Sequence, residues 1–291
     1  TTNGPESNLY GLEPNYGCCT ANMHQGWPKF AAHLWMRTPD DGLAAIAWAP
    51  CAVRTTLHGV PVSVVVETDY PFRETITLTV TSERKARFPL VLRIPAWALG
   101  ATVQVGSARA APAAHGTMHR IDREWTGATT ILVRLPMQPV ITTRYNGAVA
   151  VERGPLVYSL RIGEAWTRVN ADKPHRELPH GDFEVRPSTP WNYGLIVDPK
   201  QPSESVRFVE QPVGERPFSP AGAGVVATVR ARRLPGWRIE RGWAGEISPA
   251  DTAWAEPARL PTTEPVEDVT LIPYGCTNIR ITEFPRVPAP T

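Results

Sequence analysis

The sequence predicts a mainly β chain, with two consecutive antiparallel β-sandwich domains after a short helical segment. Proline accounts for 31 of the 291 residues, and it gathers at strand starts, sheet edges and turns because it cannot donate to a sheet ladder. Between the prolines lie short runs of Val, Ile, Leu and Thr, several of which alternate between apolar and polar residues. Only one stretch, near the start of the chain, has helical spacing. We therefore expect many short strands and one helix.

The predicted helix runs from Thr20 to about Met36. Its apolar residues recur at spacings of three and four: Met23, Trp27, Phe30, Ala31 and Leu34. We expect Pro28 to kink this helix or to begin a second helical stretch. The apolar stripe predicts a helix that is packed in the interior.

The first sandwich is predicted to span residues 39–140. Alternation is clearest where Ile76, Leu78 and Val80 face one way between threonines. About seven or eight strands are expected, a number that suits a sandwich. The runs that predict them are 43–49, 62–67, 75–81, 89–95, 101–105, 129–135 and 140–145.

The second sandwich is predicted to span residues 141–291. Asn146-Gly147 predicts a type I′ turn between two strands, because both central residues of that turn have positive φ. Residues 163–181 and 199–224 are rich in Pro, Gly and charge and are expected to be long loops. Further strands are predicted at 225–232, 268–273 and 278–284.

Charge and hydropathy argue against several classes of partner. The net charge is +2, from 30 basic and 28 acidic residues, and the charges are interspersed, so we expect neither nucleic acid nor an anionic membrane surface as a partner. No apolar run approaches the roughly 18 residues of a membrane helix. The first residues do not resemble a signal peptide and do not begin with Met. The compartment stays open, with the cytoplasm slightly favoured.

The cysteines are the residues most suggestive of chemistry. Two of the four, Cys18 and Cys19, are adjacent, and a disulfide between neighbours is strained. At the start of a helix, adjacent thiols suit a reactive or metal-binding pair, and zinc is the metal that soft sulfur favours. Two thiolates supply only half of a tetrahedral set. Spacing alone therefore leaves open a zinc site, a disulfide framework, and a pair of small buried apolar side chains.

Four segments together carry a resemblance to a known family. The first is Tyr10–Phe30, which reads YGLEPNYGCCTANMHQGWPKF and contains the cysteine pair. The others are FPLVLRIPAW at 88–97, VAVERGPLVY at 149–158 and LIPYGCTNIRITEF at 271–284. In this order they resemble glycoside hydrolase family 127, the β-L-arabinofuranosidases and their relatives.

The resemblance implies a fold and a site. The family has an (α/α)₆ barrel followed by two β-sandwiches, so residues 1–38 would be the last part of a mostly missing catalytic barrel. By carry-over, Cys18 is the nucleophile, Cys19 is a zinc ligand, and both sulfurs contact the metal. The family's other ligands, a glutamate and a third cysteine, and its general-acid glutamate belong to segments that precede this motif. Glu13 does not match the acid position and is expected to cap or position the loop.

The resemblance thus predicts the C-terminal part of a retaining, zinc-dependent glycoside hydrolase. We expect it to act on β-L-arabinofuranosides or related glycosides and to be inactive as this fragment alone. Its expected partners are the carbohydrate substrate and the missing barrel segment. Without barrel helices to pack against, the stripe of Trp27, Phe30 and Leu34 is expected to fold back onto the first sandwich or to remain an exposed apolar patch, and such a patch leaves a homodimer open.

The alternative is a non-catalytic β-sandwich module that binds carbohydrate or another chain. Ten tryptophans favour it, because indole faces stack on sugar rings. Four lie in apolar patterns and are expected in the core: Trp27, Trp35, Trp48 and Trp97. Four lie in Pro- and Gly-rich surroundings and are expected to be exposed: Trp191, Trp237, Trp243 and Trp254.

Overall fold

The computed structural model describes residues 8–11, 22–247 and 262–288. The described residues form two compact units. We call Gln25–Gln138 the middle unit. We call the residues from Pro139 onward, together with the described residues before Gln25, the C-terminal unit.

The first described strand, β1 (Leu9–Tyr10), belongs to the C-terminal unit. The middle unit follows with one helix, α1 (Gly26–Ala32). Its strands are β2 (Trp35–Arg37), β3 (Leu43–Ala45), β4 (Cys51–Leu57), β5 (Val60–Glu67), β6 (Thr75–Ile94), β7 (Thr102–Val105), β8 (Ala111–Pro112) and β9 (Thr117–Arg134).

The eight strands of the middle unit join in one sheet built around β6 and β9. The sheet has the order β2-β3-β6-β9-β7-β8, with β5 beside β6 and β4 beside β5. A register shift between Ser82 and Ala86 interrupts the pairing of β6 with β9. On one side of it β6 pairs with β5, and on the other it pairs with β3. Apolar residues from both halves form a single core cluster.

Side-chain alternation explains why these segments are strands. In β5 the residues Val60, Val62, Val64 and Val66 are buried and their neighbours are more exposed, the period of two that a half-buried strand requires. The predicted face of Ile76, Leu78 and Val80 in β6 is likewise buried. Burial of one apolar face holds the register, because a slip of one residue would turn that face to solvent.

The C-terminal unit continues with strands and two short helical turns. A second helix, α2 (Pro202–Ser205), and 3₁₀ turns at Tyr145–Gly147 and Tyr274–Cys276 connect the strands. The strands are β10 (Pro139–Thr143), β11 (Val149–Arg153), β12 (Leu156–Leu160), β13 (Glu164–Val169), β14 (Asp182–Pro187), β15 (Tyr193–Leu195), β16 (Val206–Glu210), β17 (Val225–Arg233), β18 (Ile239–Glu240), β19 (Trp243–Ala244) and β20 (Val266–Pro273).

These strands form three sheets. The largest has the order β10-β11-β12-β20-β17-β15, with β16 beside β17. A second sheet pairs β1 with β14 and β14 with β13, and β18 and β19 form a hairpin. Aliphatic residues of the large sheet, among them Val151, Leu195, Ala227 and Leu271, are fully buried.

The mainly β prediction is confirmed, with several differences in detail. The predicted strands 75–81 and 89–95 are parts of one long strand, β6. One pairing is parallel, that of β3 with β6. The predicted loops contain β13, α2 and β16, and the predicted strand 278–284 forms only an isolated bridge at Phe284. Pairing with β14 accounts for β13, and pairing with β17 accounts for β16.

The helix is shorter than predicted and is not packed. It ends at Ala32 because the chain turns there into β2, which pairs with β3. Pro28 lies within its first turn, where the missing N–H costs no hydrogen bond. Met23, Trp27 and Phe30 are 78%, 73% and 45% exposed, so the prediction of a packed stripe is wrong for them, and only Leu34, beyond the helix, is buried.

The predicted type I′ turn is present. Asn146 and Gly147 have φ of 54° and 73°, and the Ala148 N–H donates to the Tyr145 carbonyl across the turn, with N and O 3.1 Å apart. The turn joins β10 to β11, which pair along their lengths. A second pair with positive φ, His58 and Gly59, forms the two-residue connection between β4 and β5.

Candidate functional site

The predicted nucleophile and zinc ligand, Cys18 and Cys19, lie outside the described residues, as does Glu13. Their roles therefore stay predictions. The motif that contains them is described at its two ends, at Tyr10 and from Asn22 to Phe30. His33, directly after α1, has its Nδ1 2.6 Å from the Lys29 carbonyl oxygen.

The described residues do not supply a metal site. Within residues 8–11, 22–247 and 262–288, no three His, Cys, Asp or Glu side chains come together to hold an ion. Cys276 is buried, and its Sγ lies 3.3 Å from the Pro217 carbonyl oxygen, to which the thiol donates. Burial raises the pKa of this thiol to about 11. A protonated, hydrogen-bonded thiol is a poor zinc ligand.

A cleft in the C-terminal unit brings aromatic and hydrogen-bonding side chains together. Its volume is about 340 Å³, at the lower end of the range of small-molecule sites. The walls come from β1, from the end of β14 and the segment after it, from the β18–β19 hairpin and from the segment that follows β20. We call this the aromatic cleft, after the rings and polar groups that line it: Tyr10, Trp191, Trp243, Tyr274, Asn278 and Arg280.

Tyr10 is fixed at one wall of the cleft. β1 pairs with β14, which places the ring of Tyr10 5.4 Å from that of Trp166. The Tyr10 hydroxyl donates to the backbone carbonyl of Asn278. Burial raises the pKa of Tyr10, with a lowering contribution from Arg280 and a raising one from Glu164. The phenol is therefore a protonated donor at neutral pH.

Two aromatic residues reach the cleft from other segments. Arg241 and Gly242, with φ of 52° and 93°, form the two-residue turn that pairs β18 with β19 and holds Trp243, which is 44% exposed. Trp191 packs edge to face against Trp237, with ring centroids 5.2 Å apart. Trp237 in turn donates its indole N–H to the Gly245 carbonyl at 2.7 Å.

Arg280 and Asn278 are held by neighbours. The Arg280 Nε donates to Thr277 Oγ1 at 3.0 Å, and Nη2 donates to the Thr277 carbonyl at 2.9 Å. Its guanidinium carbon lies 4.3 Å from the ring centroid of Tyr274. The Asn278 amide donates to both carboxylate oxygens of Glu164, at 2.9 and 3.2 Å.

The predictions of which tryptophans are buried and which are exposed are correct for some residues and wrong for others. Trp48 is buried, as expected, and Trp35 and Trp97 are partly buried against the core of the middle unit. Trp27 is exposed rather than buried, and Trp237 is buried rather than exposed, because it packs under Trp191. Trp243 is exposed as predicted, and Trp254 lies outside the described residues.

The sequence of the middle unit identifies its relatives. Residues 42–137 match the family description "Beta-L-arabinofuranosidase, GH127 middle domain". The resemblance to glycoside hydrolase family 127 is confirmed. No curated protein matches the chain.

Solved structures share the fold over nearly the whole chain. A GH127 β-L-arabinofuranosidase from Geobacillus stearothermophilus T6 is 23% identical and covers 93% of this chain and 36% of its own, with a TM-score of 0.53. A protein described as a glycoside hydrolase is 18% identical, and the match covers 94% of this chain and 40% of that protein, with a TM-score of 0.61. A GH127 β-arabinofuranosidase is 17% identical, and the match covers 93% of this chain and 38% of that protein, with a TM-score of 0.55. The chain spans about two fifths of the length of these proteins.

Sequence reasoning missed the aromatic cleft, although two of the segments that resemble GH127 contribute to it. Tyr10 opens the cysteine-pair motif, and Tyr274, Asn278 and Arg280 lie in the last motif, but none of them was assigned a role. The available signal was the concentration of aromatic and hydrogen-bonding residues in both motifs.

In the described parts of the chain, every helix is too short to cross a membrane.

Proposed function

We propose that this chain contributes the cysteine pair of a retaining, zinc-dependent glycoside hydrolase that acts on β-L-arabinofuranosides or related glycosides. One observation carries the proposal. The cysteine-pair motif Tyr10–Phe30 stands directly before a GH127 middle domain that begins at residue 42. A motif found in its family position is stronger support than either feature alone.

The chemistry assigned to Cys18 is nucleophilic. Its thiolate attacks the anomeric carbon, so that a carbon–sulfur bond forms while the bond to the leaving oxygen breaks and a general acid protonates that oxygen. Water then displaces the sulfur, and two displacements at one carbon give retention. Zinc, when bound through Cys19 and Cys18, favours the thiolate over the thiol at neutral pH.

The acid and the remaining ligands are expected from other parts of the enzyme. Zinc prefers four ligands, and two adjacent thiolates supply two. We therefore expect the 291-residue polypeptide alone to bind zinc weakly and to leave glycosides intact. The proposed partner is a helical barrel that supplies the proton donor.

Hydrolysis of an aryl β-L-arabinofuranoside tests the proposal. The 291-residue chain alone should release no aryl alcohol, whereas a polypeptide that joins it to a GH127 barrel should. In the joined protein, Cys18→Ser should lower the rate by roughly a thousandfold or more. Cys276→Ser is the matched control and should leave the rate unchanged. If the 291-residue chain alone hydrolysed the substrate and Cys18→Ser abolished that activity, the proposal that the active site also needs residues of a barrel would be contradicted.

Zinc protection of the thiols provides a second measurement. In the joined protein, zinc should protect Cys18 and Cys19 from iodoacetamide, and a chelator should restore their labelling. Equal labelling with and without zinc would contradict the ligand assignment. This readout does not depend on substrate choice.

A second function is favoured by the aromatic cleft. Its exposed Trp243 and Tyr274 rings and its Asn278 amide are groups that bind sugars. We propose a carbohydrate-binding module as the alternative to a catalytic segment. Titration calorimetry with oligosaccharides on the isolated chain separates the two functions, because a module binds sugar without a barrel.

A further inference from the structure

The polar lining of the aromatic cleft is positively charged. Two arginines, Arg186 and Arg280, line it, and no aspartate or glutamate does. Arg186 is paired, since its Nη2 lies 2.6 Å from Glu184 Oε1, and this hydrogen bond lowers the pKa of Glu184. Arg280 forms no ion pair with a carboxylate of the described residues. Its charge is therefore available to a ligand.

Arg280 is also oriented before any ligand arrives. Thr277 accepts hydrogen bonds from Nε and Nη2, and the Tyr274 hydroxyl accepts one from Nη1 at 3.3 Å. A guanidinium has five N–H donors, so one N–H remains on each of Nη1 and Nη2. Two donors on one guanidinium match the two oxygens of a carboxylate. Little side-chain entropy is left to lose when such a bond forms.

The aromatic rings beside Arg280 supply the second half of the recognition. Tyr274 is 48% exposed and Trp243 is 44% exposed, and both line the same cleft as Arg280. One face of the Tyr274 ring is covered by the Arg280 guanidinium, so the Trp243 ring supplies the apolar contact, and the Asn278 side chain lies at the same wall. A ligand that suits this lining has an apolar ring face and a carboxylate on the same unit.

We propose that the aromatic cleft binds an acidic saccharide, with the carboxylate of a uronic acid on Arg280 and the sugar ring against Trp243. The inference rests on the second proposed function, carbohydrate binding, and not on the cysteine chemistry. It names the class of sugar that the module takes.

The test compares ligands that differ only in charge. Titration calorimetry on the 291-residue chain would use trisaccharides of galacturonic acid and of glucuronic acid, each beside its methyl ester, which keeps the ring and removes the charge. At least one acid should bind roughly tenfold or more tightly than its ester, as expected for hydrogen bonds to a charged group.

Matched variants locate the effect. Arg280→Gln should remove the preference for acid over ester, whereas Arg87→Gln, at an exposed arginine of the middle unit, should keep it. Arg280→Lys should retain part of the preference through charge alone. Circular dichroism on each variant checks folding, and the ester comparison on the unaltered chain needs no variant.

The possible outcomes distinguish a failure of the acidic specificity from a failure of carbohydrate binding itself. Equal binding of acid and ester would overturn the acidic specificity and leave carbohydrate binding in place. Failure of all four ligands and of neutral oligosaccharides to bind would overturn both. A preference for acid that survives in Arg280→Gln would overturn the assignment to Arg280.

Discussion

Trp125 stacks on Phe88 at a ring-centroid distance of 5.5 Å and donates its indole N–H to the Phe88 carbonyl oxygen at 2.9 Å. Both side chains are fully buried, and they join the two longest strands, β6 and β9, beyond the register shift. The pair therefore combines packing and a buried hydrogen bond at one position of the middle unit.

Trp125→Ala should lower the free energy of unfolding of the middle unit by about 3–5 kcal/mol, because it removes a large buried ring and leaves a cavity. Urea denaturation followed by circular dichroism measures the change. Trp243→Ala makes the same substitution at an exposed ring and should cost much less. Equal losses for the two variants would show that the core of this unit is not where the structure places it.

Cys276 should resist alkylation near neutral pH. Its pKa of about 11 lies above the ordinary value because burial disfavours the thiolate, and the thiolate is the reactive form. As pH rises towards 11, labelling should increase about tenfold per pH unit. Iodoacetamide labelling followed by mass spectrometry of the Cys276 peptide gives the profile. Labelling of Cys276 near neutral pH as fast as that of a free thiol would contradict the raised pKa.

Gly42→Ala should destabilise the middle unit by about 1–3 kcal/mol. A Cβ at this position would overlap the carbonyl oxygen and the ring of Pro89, where β3 runs alongside β6. Thermal unfolding measures the loss. Gly26→Ala is the control, since a Cβ at Gly26 meets no atom within 4 Å. A Gly42→Ala variant as stable as the control would mean that β3 can move away from β6.

The exposed rings of α1 should promote association of the chain with itself. Trp27 and Phe30 are 73% and 45% exposed, with ring centroids 6.4 Å apart, and adjacent exposed apolar groups favour contact between molecules. Replacing both with Ser should shift the light-scattering mass at high concentration towards the monomer. Leu99→Ser, at an isolated residue that is 65% exposed, should not. If the unaltered chain is already a monomer at high concentration, the prediction is contradicted.

Much of the strand pattern could be predicted because it depends on neighbouring residues. The alternation of Ile76, Leu78 and Val80 and the positive φ that Asn146 and Gly147 accommodate are local properties, and both were correct. The continuity of β6 was missed because the charged run around Arg84 interrupts the apolar pattern. The exposed strand β13 has no buried alternation, and it exists because β14 pairs with it.

The aromatic cleft could not be assembled from sequence, since its walls come from β1, from a hairpin near residue 241 and from the segment after β20. The hairpin depends on Arg241 adopting positive φ, which a residue with a Cβ rarely does. The cysteine pair is the opposite case. Its assignment depends on a motif in Tyr10–Phe30 and stays a prediction.

The bond from the Tyr10 hydroxyl to the Asn278 carbonyl links residues 268 positions apart. A ribosome that has released only the first half of the chain has made β1 but not the segment that Tyr10 contacts. Since contacts between distant residues carry a large loop-closure cost, this wall should be assembled only after Asn278 has been synthesised. Removal of the first eleven residues by a protease should then open the finished cleft on that side.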